Sequence, residues 1–189
     1  VNGAAVNAAQ GGVGNLNSNS SSTVQFGYAG NNWGMAAAYT YAQSQAGFAA
    51  VNGTNFLNNL INGTIAANAN SSTNGFALSG YWQPSQSGWI PSISAGWGVA
   101  TTQLLTGTGQ ATNGFGFVSN SWTIGLQWAD AFAKGNALGF GFGQNTMVSK
   151  MTPGLARGIG QTMPYDGNWA WEWWYKFQVT DNISAASYT

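Results

Sequence analysis

Large apolar residues occupy every second position between Trp169 and Val179, in the stretch WAWEWWYKFQV. The positions between them carry Ala, Glu, Trp, Lys and Gln. Successive side chains of a β-strand point to opposite faces, so this period of two predicts a strand with one aromatic face. A helix would spread the same aromatic residues around its whole circumference. The aromatic face is therefore expected to contact a protein core, another chain or lipid.

The same alternation predicts seven further strands, which gives eight in all. These seven are Thr23–Ala29, Trp33–Gln43, Gly75–Gln83, Trp89–Val99, Ser121–Ala129, Ala137–Gln144 and a last strand that starts at Ile183. Short Gly- and Asn-containing turns alternate with three long connections, residues 44–73, 101–117 and 147–167. This rhythm predicts consecutive hairpins with the short turns at one rim and the long connections at the other. The stretch NFLNNLINGT in the first long connection is expected to contain a short helix.

Charge is scarce along the chain. Charged residues make up 4% of the sequence, against about 25% in a typical soluble domain. The first 129 residues contain none. No run approaches the ~18 apolar residues of a spanning helix. Low charge with abundant Gly and aromatic residues is typical of a transmembrane β-barrel, in which only alternate strand residues need be apolar.

The two strand faces differ in a way that favours a membrane barrel over a soluble β-sandwich. The residues expected to face lipid are Trp33, Phe76, Trp97, Ile124, Phe140, Trp171, Trp173 and Tyr175. The opposite face carries mainly Gly, Ala, Ser, Thr and Gln, with Tyr81 as a large exception. Such residues suit a water-filled lumen, whereas the solvent face of a sandwich should carry charges. They are also too small to fill an eight-stranded barrel, whose interior is packed with side chains.

The predicted fold is therefore all-β, an antiparallel up-and-down transmembrane β-barrel with about eight strands of a larger barrel in this chain. Residues 1–22 are polar, glycine-rich and without period, and are expected to form a loop or mobile segment. Residues 23–189 form the predicted barrel segment.

The stretch DGNWAWEWWYKFQVTDNIS, residues 166–184, resembles the C-terminal region of the cyanobacterial major outer-membrane porins. These belong with the OprB-like carbohydrate-selective porins and are often called iron uptake porins. The stretches FGYAGNNWGMAAAYTY and GYWQPSQSGWIPSISAGWG are similar to two further hairpins of that family. The resemblance implies an integral outer-membrane location, contact with outer-membrane lipid, a homotrimer, and passive diffusion of small hydrophilic solutes or ions.

The chain departs from the family pattern at both ends. The family carries an N-terminal surface-layer-homology domain, a coiled-coil linker and a longer barrel. After TDNIS the family continues with an apolar strand, whereas this chain reads AASYT. We expect the chain to be the C-terminal part of such a barrel, incomplete at its own C-terminus.

Candidate pore-lining residues are Glu172, Trp174 and Lys176, which share the non-aromatic face of the predicted seventh strand. Glu172 and Lys176 are either a pair that biases the charge of the permeant solute or a structural ion pair. Trp174 either stacks on a sugar ring or packs against a loop that folds inward. Arg157, in the stretch GLARGIGQTMP, either adds positive charge to such an inward loop or is a solvated loop residue.

The sequence contains few residues that would support other classes of function. Without Cys or His there are no disulfides, no Ser-His-Asp triad and none of the common zinc sites. A net charge of zero disfavours nucleic acid as a partner. We expect no catalysis, cofactor or metal. Two alternatives to a porin stay open, a structural or adhesive β-protein of the cell surface and a soluble carbohydrate-binding β-sandwich.

Overall fold

The computed structural model describes residues 20–44, 54–59, 70–86, 88–106, 115–158, 160, 167–180 and 183–188. Within them, eight antiparallel strands form one sheet in sequence order. The strands are β1 (Ser20–Ala29), β2 (Trp33–Ser44), β3 (Asn70–Trp82), β4 (Ser92–Thr106), β5 (Gly116–Ala129), β6 (Ala137–Met151), β7 (Trp169–Thr180) and β8 (Ile183–Tyr188). Helices α1 (Asn55–Asn59) and α2 (Pro153–Gly158) lie in two long connections. The predicted all-β, antiparallel up-and-down arrangement is confirmed.

Every strand pairs with its neighbour in sequence, so the short turns meet at one rim and the long connections at the other, as predicted. We call these the turn rim and the loop rim. The turn between β5 and β6 illustrates the local chemistry, because Gly135 has a φ of 89° that a larger residue adopts with strain. Its backbone N–H donates a 2.8 Å hydrogen bond to the Asp130 carboxylate, which holds the turn closed.

Several strands extend further at the loop rim than the aromatic alternation indicates. β3 starts at Asn70 rather than Gly75, and β6 continues to Met151 rather than Gln144. The added residues are mostly small, polar or aliphatic, so the periodicity is weak there even though the backbone stays paired. β4, in contrast, begins at Ser92 rather than Trp89, directly after Pro91, which has no N–H to donate to a ladder.

Two further predictions concern the first long connection and the N-terminal segment. The short helix expected in NFLNNLINGT is confirmed as α1. Of the predicted polar segment 1–22, the last three residues, Ser20–Ser22, belong to β1, and residues 1–19 lie outside the described part of the chain.

Most large apolar side chains of the central sheet share one surface, which we call the aromatic face. Cross-strand register joins them into rows: Trp33 faces Trp82, Leu126 faces Phe140, and Phe140 faces Trp173. Rings of neighbouring strands touch along these rows, with centroids 4.5 Å apart for Phe140 and Trp173. The surface is nevertheless open, since Trp97 remains 45% exposed in the middle of β4.

The buried apolar residues lie at the loop rim instead of the middle of the sheet. Leu57, Leu104, Phe117, Val148 and Leu155 form one cluster, which we call the rim core. Phe56, Phe115 and Met151 pack against it. The central sheet is thus a single layer whose aromatic face is not covered by any other described element.

Neither of the two described helices, five and six residues long, has the length and apolar character needed to cross a membrane.

Candidate functional site

The face opposite the aromatic one, which we call the polar face, carries mostly small side chains. Its members in the central sheet are Gln25, Gly27, Gly34, Ala36, Thr40, Ala77, Ser79, Tyr81, Ser92, Ser94, Gly96, Thr123, Gly125, Gln127, Gly139, Gly141, Gly143, Glu172, Trp174 and Lys176. Hydroxyl groups pair across strands on this face, at 2.8 Å between Thr23 and Thr40. The result is a wettable wall that presents hydroxyls, amides and bare backbone.

One row across the polar face forms a trough. Tyr81 on β3 faces Ser94, which faces Gly125, which faces Gly141, which faces Glu172 on β7. The three residues between Tyr81 and Glu172 are small, so the ends of the row stand above its middle. A cavity of about 310 Å³ lies over this row, and Gln83, Ser92, Gln127 and Trp174 also line it.

The rim core lies on the polar face as well. Register partners share a face, and Thr102 faces both Thr73 and Phe117. Ser119 faces Val148 in the same way. Leu57 of α1 and Leu155 of α2 pack on these residues and are each 1% exposed. Both helices therefore fold over the polar face rather than away from the sheet.

α1 reaches far across the sheet from its own place in the chain. It lies between β2 and β3 in sequence, yet the N–H of Thr54, just before it, donates a 3.0 Å hydrogen bond to the carbonyl of Thr146 on β6. Strands lie about 4.8 Å apart, so β2 and β6 are separated by roughly 19 Å along the sheet. Thr54 and α1 thus lie near β6, at the loop rim, and not beside β2.

The predicted pore-lining residues fall into two places. Glu172, Trp174 and Lys176 all lie on the polar face of β7, where Glu172 and Lys176 are exposed and Trp174 is half-buried. Glu172 and Lys176 are four positions apart, about 13 Å along β7, with Trp174 between them. This spacing disfavours a direct ion pair. Arg157 lies at the loop rim, on α2, with its side chain exposed.

The residues predicted to contact lipid all lie on the aromatic face by register. Trp33, Phe76, Trp97, Ile124, Trp171 and Trp173 are exposed, whereas Phe140 and Tyr175 are half-buried. Tyr175 is anchored at the turn rim, where its hydroxyl accepts a 2.6 Å hydrogen bond from the Asn136 amide.

Two features of the site could not be predicted from the sequence. Tyr81 stood out as a large side chain on the polar face, but nothing local showed that it ends a row with Glu172. The leucines at 57 and 155 lie in irregular segments and carry no period, so their burial could not be read from the pattern. The one available signal was the alternating glycine series at positions 139, 141 and 143, which marks a strand face without side chains.

Among the described residues, no group of three or more His, Cys, Asp or Glu side chains is placed to hold a metal ion. Comparison of the chain with protein-family models, with curated proteins and with solved structures finds no match.

Proposed function

We propose that the chain forms part of the wall of an outer-membrane porin, through which small hydrophilic solutes or inorganic ions diffuse passively. The observation that carries the proposal is the open aromatic face of a single-layer sheet. Phe26, Trp97 and Trp171 are 76%, 45% and 63% exposed, on three different strands. Soluble monomers rarely expose a contiguous apolar surface of more than a few hundred Å².

Lipid is the surrounding that suits this face. Burial of apolar surface is favourable by roughly 25 cal/mol per Å², so a sheet of aromatic rings is strongly driven out of water. A paired ladder also leaves few free backbone N–H and C=O groups, which a hydrocarbon environment requires. The polar face would then border water, where Glu172 and Lys176 are tolerated.

The sheet also has the asymmetry of a bacterial porin, with short turns at one rim and long connections at the other. β1 and β8 lie at the two edges of the sheet. In a bilayer these edges need partner strands, which supports the proposal of a larger barrel. The resemblance of residues 166–184 to the cyanobacterial porins supports the same assignment, and with it a homotrimer.

The two alternatives receive less support. A carbohydrate-binding β-sandwich needs two packed sheets, and the described strands form one. A fibrous adhesive protein favours short regular repeats, whereas the described strands range from 6 to 15 residues.

Phase partition and bilayer conductance together test the proposal. The complete barrel that contains this chain is expected in the detergent phase after extraction, and to produce stepwise conductance in a planar bilayer. Recovery of folded protein in the aqueous phase, without detergent, would contradict the membrane assignment. Recovery in detergent without conductance would contradict the pore.

A further inference from the structure

The cavity on the polar face combines one carboxylate with one broad aromatic ring. Glu172 and Trp174 are two residues apart on β7, so their side chains leave the same face about 6.6 Å from each other. Glu172 carries the only charge among the described residues that line the cavity. Lys176, the next residue on this face, lies beyond Trp174 and outside the cavity.

A glycine on the next strand makes room for the Trp174 ring. Gly139 is its direct register partner, and a Cβ atom at Gly139 would overlap the indole at three consecutive ring atoms, Nε1, Cε2 and Cζ2. The ring therefore lies over the bare backbone of β6, and Trp174 also lines the cavity. Tyr81 lies over Gly34 on β2 in the same manner and closes the far end of the row.

The floor in front of Glu172 is also bare. Gly141 is its direct register partner, and a Cβ atom there would have no neighbour within 4 Å. A small solute can thus approach the Glu172 carboxylate and the Trp174 side chain together. The space has a volume of about 310 Å³, at the lower end of small-molecule pockets.

We propose that this cavity binds a small organic ammonium ion, of the alkylated or quaternary type, between the Trp174 ring and the Glu172 carboxylate. An indole face attracts a cation within about 6 Å of its centre. A nearby carboxylate attracts the same cation by its charge, even when the ammonium group has no N–H to donate. One carboxylate is a poor ligand set for a metal ion, and no metal-binding group of three acidic residues lies among the described residues. The inference rests on the proposed pore for its role, where it assigns a preferred class of permeant.

Binding can be measured independently of conductance, by saturation-transfer NMR on the complete detergent-solubilised barrel that contains this chain. The probe is choline, and the matched control is its neutral isostere 3,3-dimethylbutan-1-ol. We expect choline to bind at least about tenfold more tightly than the isostere, because only choline gains the charge-dependent contacts. Equal affinity for the two compounds would overturn the inference, since it would show apolar binding alone.

Substitutions assign the binding to this cavity. Trp174→Ala and Glu172→Gln are each expected to weaken choline binding about five- to thirtyfold. Trp171→Ala, on the opposite face of the same strand, should leave it unchanged, and Lys176→Gln should strengthen it by removing a nearby positive charge. Circular dichroism confirms that each variant is folded. Unchanged affinity in folded Trp174→Ala and Glu172→Gln would overturn the assignment.

The two proposals fail separately. Choline binding without stepwise conductance would sustain the cavity and refute the pore. Conductance without choline binding would sustain the pore and refute the cavity.

Discussion

At the scale of single residues, glycines decide where side chains and backbones come together on the polar face. Gly139, Gly141 and Gly143 alternate along β6, yet their surroundings differ. A Cβ atom at Gly143 would lie 2.5 Å from the Trp122 carbonyl oxygen, whereas one at Gly141 would have no neighbour within 4 Å. The same substitution on one strand therefore has two different costs.

Gly143→Ala is expected to destabilise the protein by about 1–3 kcal/mol, because the new methyl group meets backbone that has to shift. Gly141→Ala, two residues away on the same face, is the matched control and should be nearly neutral. Urea denaturation followed by tryptophan fluorescence measures both. An equal loss of stability in the two variants would contradict the close contact between β5 and β6 at Gly143.

At the scale of elements, β7 separates two environments within one strand. Trp173 packs on Phe140 on the aromatic face, while Trp174 points to the polar face. Adjacent tryptophans on opposite faces give a direct comparison of what each face contacts.

Trp173→Lys is expected to impair membrane insertion, because a lysine on the lipid side costs about 2–4 kcal/mol at the bilayer midplane. Trp174→Lys places the same charge on the polar face and should insert normally. Heat-modifiable mobility in gels reports the inserted, folded fraction. If both variants inserted equally well, the aromatic face would not be the lipid face.

α1 is an element that exists only through its contacts. A helix of five residues is too short to be stable alone, so packing must hold it. Leu57 is buried in the rim core, and its N–H donates a 3.4 Å hydrogen bond to the Thr54 hydroxyl at the start of the helix. Loss of the Leu57 side chain should therefore release α1 from the polar face.

Leu57→Ala is expected to lower the free energy of unfolding by about 2–5 kcal/mol, because it leaves a cavity in the rim core. It should also raise single-channel conductance, since α1 lies across the proposed lumen. Asn55→Ala, at an exposed position of the same helix, is the control and should not change conductance. Planar-bilayer recordings measure the step size. A step size unaffected by Leu57→Ala would mean that α1 does not narrow the pore.

At the scale of the whole molecule, the chain has only eight charged residues and a net charge of zero. Very few groups therefore set the electrostatic potential at the polar face. Glu172 and Lys176 are the charged residues on its β7 wall, and both are exposed. Each should therefore influence ion selectivity with its own sign.

Glu172→Gln is expected to shift selectivity toward anions, and Lys176→Gln toward cations, each with assembly nearly intact. The reversal potential across a bilayer with a salt gradient measures the shift, which should shrink at high ionic strength as screening increases. If neither substitution moved the reversal potential, β7 would not border the conducting path.

Much of this architecture could be predicted from local pattern. The strand positions followed from period-two alternation, which is written into neighbouring residues and needs no partner. The rims followed from turn chemistry and connection length. The extensions of β3 and β6 at the loop rim could not be predicted, because Ser, Thr and Val there pair and pack without an aromatic alternation to mark them.

The candidate site was predictable only in part. Glu172, Trp174 and Lys176 share a face because they are spaced by two, which is a local property. Their partners across the sheet depend on the register of each strand pair. The row from Tyr81 to Glu172 passes through four such pairs, from β3–β4 to β6–β7. Nothing near Tyr81 in the chain indicates that it belongs to one row with Glu172.

The sequence by itself determined that the chain is an antiparallel meander of amphipathic strands, with one aromatic face and one face of mostly small, uncharged residues. Tertiary structure decided which small residues line up to leave the cavity, and which ring lies on which glycine. It also decided that α1 crosses to β6 and that two leucines from separate connections share one core. The reason is physical, since alternation acts between adjacent residues, whereas cavities and cores arise from contacts between residues far apart in the chain.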